Sequence, residues 1–299
     1  MDAKVDAKTT DKSARVARRA PSEPAPLKHE EIRAVIVGLM LAMFLGALDQ
    51  TIVATALPTI GRHFRDLGDL SWVVTAYLIT GTAVTPLYGK LADVHGRRIT
   101  MLAAVGIFVV GSLACALAPS MTALVFARAL QGLGGGGLMA LAQTIIADIV
   151  SPRERGRYQG YIGAVFAMSS IGGPVLGGFL TEHVDWSLIF WINLPLGLCA
   201  LGMTSNVLRR VPYQPRKHKL DIVGALLMMA AAVALLLTLT WGGRLFEWIS
   251  VQIGGLLLGS AALWVLFAWR LVSTREPFLP LSILGNPVVR CATLAGACN

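Results

Sequence analysis

The sequence predicts an all-α polytopic membrane protein, and three observations support this prediction. Only 14% of the 299 residues are charged and 55% are hydrophobic, whereas roughly 25% of the residues in soluble domains are charged. The apolar residues form eight long runs, and a hydrocarbon core of roughly 30 Å takes about 20 helical residues to cross. The Lys and Arg residues lie mainly in alternate connections between these runs, as a fixed membrane topology requires.

The eight predicted spans follow a polar N-terminal tail and are joined by short polar connections. Their bounds are residues 34–58, 71–89, 99–118, 122–146, 158–181, 188–207, 222–241 and 250–270. A large soluble helical core is the alternative, but runs that are apolar on every side leave no face to meet water. The strict alternation of membrane β-strands does not occur in them. The sequence therefore favours membrane-spanning helices.

The charge distribution predicts the orientation of these spans. When the connections are assigned alternately to the two sides, 22 of the 26 Lys and Arg residues lie on one side. By the positive-inside rule, the tail and the even-numbered connections are cytoplasmic, as expected for a multi-pass protein of the cytoplasmic (inner) membrane. The tail, residues 1–33, is expected to be disordered and to meet anionic lipid headgroups. The lipid bilayer thus accounts for the net charge of +9, and no nucleic acid partner is needed.

Two ionisable residues, Asp49 and Arg128, lie deep within predicted spans, the first and the fourth. A charge within a span costs about 2.5 to 3.5 kcal/mol on insertion scales, so it normally faces a partner or a water-filled cavity. The first span runs outward and the fourth inward, which places Asp49 about 13 Å and Arg128 about 9 Å from the outer ends of their helices. We therefore expect these helices to adjoin and the two side chains to pair directly or through water. The alternative is that Arg128 extends outward to the membrane surface.

Small residues interrupt the fourth and fifth spans. The fourth contains "ARALQGLGGGG" (127–137), and such glycines allow a neighbouring backbone to approach closely in lipid. They also leave room beside Arg128. The fifth contains "GPVLGG" (173–178), in which Pro174 cannot donate its backbone hydrogen bond and is expected to bend the helix.

The connection after the second span reads "GKLADVHGRR" (89–98). In such a turn Asp93 can accept hydrogen bonds, and Gly96 tolerates unusual dihedral angles. Arg97 and Arg98 face the predicted cytoplasmic side. On spacing alone, these arginines could equally be anchors that follow the positive-inside rule.

Together these segments resemble signatures of the major facilitator superfamily. The 89–98 connection resembles its cytoplasmic loop signature, the fourth span its fourth-helix motif, and the fifth span a motif associated with antiporters. The segment "LDQTIVATALP" (48–58) and the entry to the sixth span, "WSLIFWINLPLG" (186–197), are similar to fourteen-helix drug:proton antiporters. The matching residues are Gly89, Leu91, Asp93, Gly96, Arg97 and Arg98 in the connection, Arg128, Gln131, Gly132 and Gly134 in the fourth span, and Gly160, Gly173, Pro174, Gly177 and Gly178 in the fifth.

The resemblance implies an N-terminal six-helix bundle, two linker helices and a C-terminal bundle, arranged around a central cavity. In this chain the parts would be a tail at 1–33, the bundle at 34–208, a basic cytoplasmic loop at 209–221, linker helices at 222–272, and the start of the C-terminal bundle at 273–299. From Pro287 onward the chain can form about 20 Å of a ninth helix, which is too short to cross the core. We therefore expect the C-terminal half to be absent, either from a fragment or from a naturally truncated product.

The function implied by the resemblance is proton-coupled multidrug efflux, the export of a small amphipathic compound driven by protons moving inward. Asp49 would carry the proton and Arg128 would tune its exchange. Asp93, Arg97 and Arg98, with Gly89 and Gly96, would close the cytoplasmic gate. The glycines and the proline of the fifth span would set how the two halves bend and seal. Protons are the coupling ion, and no other cofactor is expected.

Two other readings stay open. Without a second bundle, the product could be a truncated, non-transporting membrane protein or a half-transporter that needs a partner. A membrane enzyme is the third reading, but no loop of the sequence combines metal ligands, or Ser, His and Asp, in a usable context. We therefore expect a transporter without a catalytic or metal site.

Overall fold

The computed structural model describes residues 29–151, 153–209, 221–274, 289 and 291. Within these residues nine helices are defined and no β-strand is formed, so the predicted all-α fold is confirmed. In chain order the helices are α1 His29–Phe64, α2 Trp72–His95, α3 Arg97–Ala116, α4 Met121–Ile149, α5 Arg155–His183, α6 Leu188–Trp191, α7 Asn193–Val207, α8 Ile222–Trp241 and α9 Val251–Ser273.

Each of the eight predicted spans coincides with helical structure, but the bounds differ in two respects. The sixth span is divided between α6 and α7, which meet at Ile192. The helices also continue beyond the apolar runs, because backbone hydrogen bonds do not require apolar side chains. Residues 29–33, assigned to the tail from the sequence, accordingly form the start of α1. Residues 1–28, most of the basic loop and most of 273–299 lie outside the described residues.

Helix α2 carries several polar side chains along its predicted span. In the described part of the chain, seven helical segments are long and apolar enough to cross a membrane, and α2 is not among them. Its 24 residues include four threonines and two tyrosines. The hydroxyls of Thr80 and Thr85 donate to the carbonyls of Ala76 and Gly81 at 2.9 and 2.7 Å, which satisfies them within the helix. Because α2 packs between α4 and α8, it needs less apolar surface than a helix that faces lipid.

Helix α4 lies at the centre of the bundle. It packs against α2 and α3 and also contacts α1, while α1 packs chiefly against α5 and α7. The hairpin of α8 and α9 is attached through α8, which packs against α2. The rings of Trp72 and Trp241 lie 6.0 Å apart at one end of this contact. At the opposite end of α8, Arg270 binds Asp221, the N-cap residue, at 3.1 Å.

Two apolar clusters fill the bundle, one toward each end. The first cluster includes Leu45 of α1, Phe108 of α3 and Leu138 of α4. The second cluster includes Ile52 of α1 and Cys115 of α3. Polar side chains on the same helices lie between the two clusters, so they are shielded from both ends of the bundle.

The glycines of α4 bring its backbone into contact with two neighbouring helices. A Cβ atom at Gly134 would lie 2.6 Å from the carbonyl oxygen of Ala104 in α3. A Cβ atom at Gly136 would lie closer than van der Waals contact to the carbonyl of Gly81 in α2. The predicted close approach of neighbouring backbones is therefore confirmed, since side chains on this helix would force α2 and α3 away.

We expect Gly134→Ala to lower the free energy of unfolding by about 1–3 kcal/mol, the range typical of an overpacked site. The matched control is Gly106→Ala in α3, where an added Cβ meets no atom within 4 Å. Since alanine is the better helix former by about 1 kcal/mol, the control variant should be as stable as the parent or more stable. Denaturant unfolding of both variants in detergent measures the difference, and equal destabilisation of the two would contradict the packing account.

Candidate functional site

Asp49 of α1 and Arg128 of α4 form a direct ion pair inside the bundle. Arg128 Nη1 lies 2.7 Å from Asp49 Oδ2, and the side chains are 1% and 0% exposed, respectively. The pairing expected from their matching depths is therefore present. The alternative, in which Arg128 extends outward to the membrane surface, is wrong because its guanidinium is enclosed by protein.

Hydrogen bonds from α4 itself and from two further helices, α7 and α2, hold the ion pair in place. Gln131 accepts from Arg128 Nη1 at 2.6 Å and donates through Nε2 to Asp49 Oδ1 at 2.9 Å. Asn193 donates through Nδ2 to the same Asp49 oxygen at 2.8 Å. Arg128 Nε donates to the carbonyl of Val73 in α2 at 3.0 Å. The Asp49 carboxylate thus receives three hydrogen bonds, which offset the loss of its hydration.

Asn193 and Ser112 extend this network, and the sequence analysis missed both as functional residues. The Asn193 amide also donates to Ser112 Oγ at 3.0 Å, and Ser112 donates to the carbonyl of Phe190 at 2.9 Å. Both side chains are fully buried. Asn193 Oδ1 has no hydrogen-bond partner among the described residues. The available signal was an asparagine six residues into the sixth apolar run, where α6 ends and α7 begins.

A cavity of about 320 Å³, with a mainly apolar lining, lies beside the ion pair between α2 and α4. Its hydrogen-bonding lining consists of Gln50, Tyr77, Thr82, Thr85 and Gln143. Leu78, Met139, Ala140 and three glycines complete the wall, and none of these lining residues is charged. The cavity can therefore take a compound with both apolar surface and hydrogen-bonding groups.

Tyr77 lies between this cavity and the ion pair. Its ring centroid is 4.3 Å from Arg128 Cζ, a cation–π distance, and the residue also lines the cavity. The ring of Phe190 lies on Arg128 as well, at 5.8 Å. The guanidinium is thus enclosed by aromatic rings as well as by hydrogen bonds.

The predicted gate motif links four helices, α2, α3, α4 and α7, at one end of the bundle. Arg97 pairs with Asp93 at 3.0 Å and with Asp148, at the end of α4, at 2.9 Å. Arg98 donates to the backbone carbonyl and the hydroxyl of Ser205 in α7, at 3.1 and 3.0 Å. The arginines are therefore more than membrane anchors, although their role in gating stays a prediction. Asp148 was missed, and its position just beyond the fourth apolar run was the available signal.

The two motif glycines of the 89–98 connection are placed differently. Gly96 separates α2 from α3 with a φ of 92°, a conformation that side chains rarely adopt, so the turn requires glycine there. A Cβ atom at Gly89 would meet nothing within 4 Å. The surface at Gly89 is therefore open in the described part of the chain.

The structure brings only part of the fifth-span motif to the site. A Cβ atom at Gly173 would collide with Thr51, and one at Gly177 would collide with Ile52, so both glycines press against α1 next to Asp49. The hydroxyl of Thr51 donates to the carbonyl of Ser169 at 2.9 Å in the same contact. Gly160 and Gly178 instead have open space around them. Pro174 lies inside α5, which continues unbroken across it, so a bend there stays a prediction.

Metal binding has no support in the described part of the chain, where no group of three His, Cys, Asp or Glu residues lies close enough to hold an ion. The site is thus a buried ion pair, a hydrogen-bond network and an adjoining cavity.

Comparisons with known proteins identify the family of the chain. The family model described as Major Facilitator Superfamily matches residues 39–223. An uncharacterized MFS-type transporter of Mycobacterium tuberculosis is 39% identical over 254 residues, covering 85% of this chain and 37% of the relative. The multidrug transporter protein MdtP of Bacillus subtilis is 38% identical over 264 residues, covering 88% and 48%. The chain thus spans about half the length, or less, of these curated relatives.

A solved structure shares the fold at low sequence identity. The human organic anion transporter MFSD10 matches with a TM-score of 0.55 and 20% identity, covering 88% of this chain and 68% of that one. At this identity the likeness concerns the fold alone. With the family model matching more than half of the sequence, the chain belongs to the major facilitator superfamily, a family of membrane transporters.

Proposed function

We propose that the protein is a proton-coupled multidrug efflux transporter of the fourteen-helix drug:proton antiporter type, which exports amphipathic compounds across the cytoplasmic membrane. The observation that carries the proposal is the Asp49–Arg128 pair, a membrane-buried carboxylate held by a guanidinium. Ionisable groups inside a membrane are costly, and a reversible proton carrier is a common reason for keeping one. The name of the Bacillus subtilis relative, a multidrug transporter, supports the choice of substrate class.

Asp49 carries the proton in this proposal. In its ionised form it accepts hydrogen bonds from Arg128, Gln131 and Asn193. Protonation removes its attraction to Arg128, while loss of the proton restores the pair. The inward-moving proton thus converts a tightly held ion pair into a neutral acid beside a cation, and this change is available to drive the next step of transport.

Asn193 is suited to both protonation states of Asp49. Its Nδ2 donates to the carboxylate at 2.8 Å, and its Oδ1 is buried without a hydrogen-bond partner among the described residues. After rotation of the amide, Oδ1 would accept a hydrogen bond from the protonated acid. Both states of Asp49 would then be satisfied, so the proton could leave again without a large barrier.

The substrate occupies the cavity between α2 and α4 in this proposal. Its uncharged polar groups and its apolar wall fit an amphipathic compound, and promiscuous pockets of this kind accept many shapes. The N-terminus is cytoplasmic, as the charge distribution supports. The contacts of Arg97 with Asp93 and Asp148, and of Arg98 with Ser205, then hold the cytoplasmic end closed during part of the cycle.

The test is transport of ethidium by the purified protein in liposomes under an imposed pH gradient, with the membrane potential clamped by valinomycin and potassium. We expect ethidium movement to follow the direction of the pH gradient and to stop when a K⁺/H⁺ ionophore collapses it. Liposomes without protein provide the background. Ethidium movement of the same rate with and without the gradient would contradict proton coupling.

A further inference from the structure

We propose that Tyr77 is a positioning residue that separates the substrate cavity from the Asp49–Arg128 pair, so that displacement of its ring admits water to Asp49. This inference rests on the proposed function, because it assigns to Tyr77 control over the carboxylate that would carry the proton.

The ring of Tyr77 covers one side of the ion pair. Its centroid lies 4.3 Å from Arg128 Cζ, and the same residue forms part of the cavity wall. Tyr77 is 3% exposed, and Asp49 and Arg128 are 0% and 1% exposed. The cavity itself is lined by Gln50, the residue next to Asp49, so cavity and carboxylate are close neighbours. With the ring in place, the carboxylate is nevertheless closed off from the cavity.

Glycines of α4 provide the space that the ring occupies. A Cβ atom at Gly135 would collide with the Tyr77 hydroxyl, and one at Gly132 would collide with the Tyr77 backbone. Gly135 also lines the cavity, so the hydroxyl end of the ring borders it. Arg128 blocks movement of the ring toward the ion pair, which leaves the cavity as the direction in which the ring can move.

Displacement of the ring changes the environment of the ion pair. In a dry site the attraction between Asp49 and Arg128 is several times stronger than in contact with water. Water that enters past Tyr77 weakens this attraction and gives Asp49 a route for proton exchange with the cavity. A substrate in the cavity would move the ring, and Tyr77 would thereby link cavity occupancy to the protonation of Asp49.

The experiment measures access to Asp49 directly, by modification with a water-soluble carbodiimide at mildly acidic pH and mass spectrometry of the labelled peptides. We expect Tyr77→Ala to raise the modification rate of Asp49 by about tenfold or more, because the reagent then reaches the carboxylate without a prior local opening of the bundle. Tyr77→Phe keeps the ring and should stay within about twofold of the parent protein. A rate for Tyr77→Ala within this twofold range, or a Tyr77→Phe variant as reactive as Tyr77→Ala, would overturn the inference.

Two controls separate access from general loosening of the structure. Leu78→Ala shortens the next side chain of α2, which lines the same cavity but is 46% exposed, and it should leave the rate at Asp49 unchanged. Asp221, the N-cap residue of α8, is a buried carboxylate with 2% side-chain exposure, and it serves as an internal reference in every variant. Acceleration at Asp221 equal to that at Asp49 would mean loosening and would overturn the inference. If Tyr77→Ala does not fold, Tyr77→Leu removes the ring with less loss of packing and is read in the same way.

The measurement needs neither a proton gradient nor a transported compound. Its failure would therefore remove the role of Tyr77 and leave the proposed function in place. Failure of coupled ethidium transport would instead remove the proposed function, while the carbodiimide result would still report whether Tyr77 closes off Asp49.

Discussion

Replacing Asp49 with asparagine is expected to abolish proton-coupled efflux while the chain still inserts and folds. Asparagine has the same shape, and its amide oxygen can accept the hydrogen bonds that Gln131 and Asn193 now donate to Asp49 Oδ1. It cannot bind and release a proton near neutral pH, so the step that links the pH gradient to transport is lost. The measurement is ethidium transport in liposomes under the imposed pH gradient.

The control for this variant is Asp69→Asn, the same chemical change at an exposed carboxylate in the turn between α1 and α2. It should transport as the parent protein does. Downhill ethidium movement that persists in Asp49→Asn without dependence on the gradient would agree with the loss of coupling alone. Undiminished coupled transport by Asp49→Asn would contradict the assignment of the proton to this residue.

Replacing Arg128 with alanine is expected to lower the free energy of unfolding by about 3–5 kcal/mol, the range for removing one partner of a buried ion pair. The change leaves the Asp49 carboxylate in the interior without its cation, and it also removes the hydrogen bonds to Gln131 and Val73. Loss of coupled efflux should accompany the loss of stability, because Asp49 then lacks the cation whose attraction it exchanges for a proton. Denaturant unfolding in detergent and the same ethidium assay measure the two effects.

A double variant distinguishes the ion pair from simple loss of packing. Asp49→Asn combined with Arg128→Ala removes both charges, so it should be less destabilised than the sum of the single variants. Arg157→Ala, at an exposed arginine at the start of α5, should leave the unfolding midpoint where it was. Additive losses in the double variant, or normal efflux by Arg128→Ala, would contradict a functional pair.

From the sequence, the depth of each functional side chain in the membrane could be predicted better than the identity of the side chains beside it. Spans that cross a membrane in alternate directions give each residue a position along the membrane normal, and this was enough to pair Asp49 with Arg128. Which other helices surround that pair depends on the packing of the whole bundle. Asn193 and Ser112 reach the site from α7 and α3, and a single sequence contains no spacing that brings those two positions together.

The same reasoning explains the differences in the fold. Apolar runs mark the part of a helix that lies within the membrane, so the eight spans were recovered but their ends were not. The sixth run is continuous in hydropathy, yet its helix is interrupted at Ile192. The next residue, Asn193, donates a hydrogen bond to Asp49. Asp148 was likewise missed because its ion pair with Arg97 joins the ends of helices that are distant in the sequence.

The position of the hydrogen-bond network has a consequence for how the bundle can move. Side chains or carbonyls from α1, α2, α3, α4 and the α6–α7 junction meet within it. Sliding α1 or α4 by one turn would break several of these bonds together and strand a charge in the interior. Bending and shear inside the bundle are therefore disfavoured, and large displacements should take place at its outer faces, with the helices around Asp49 travelling as one stiff body.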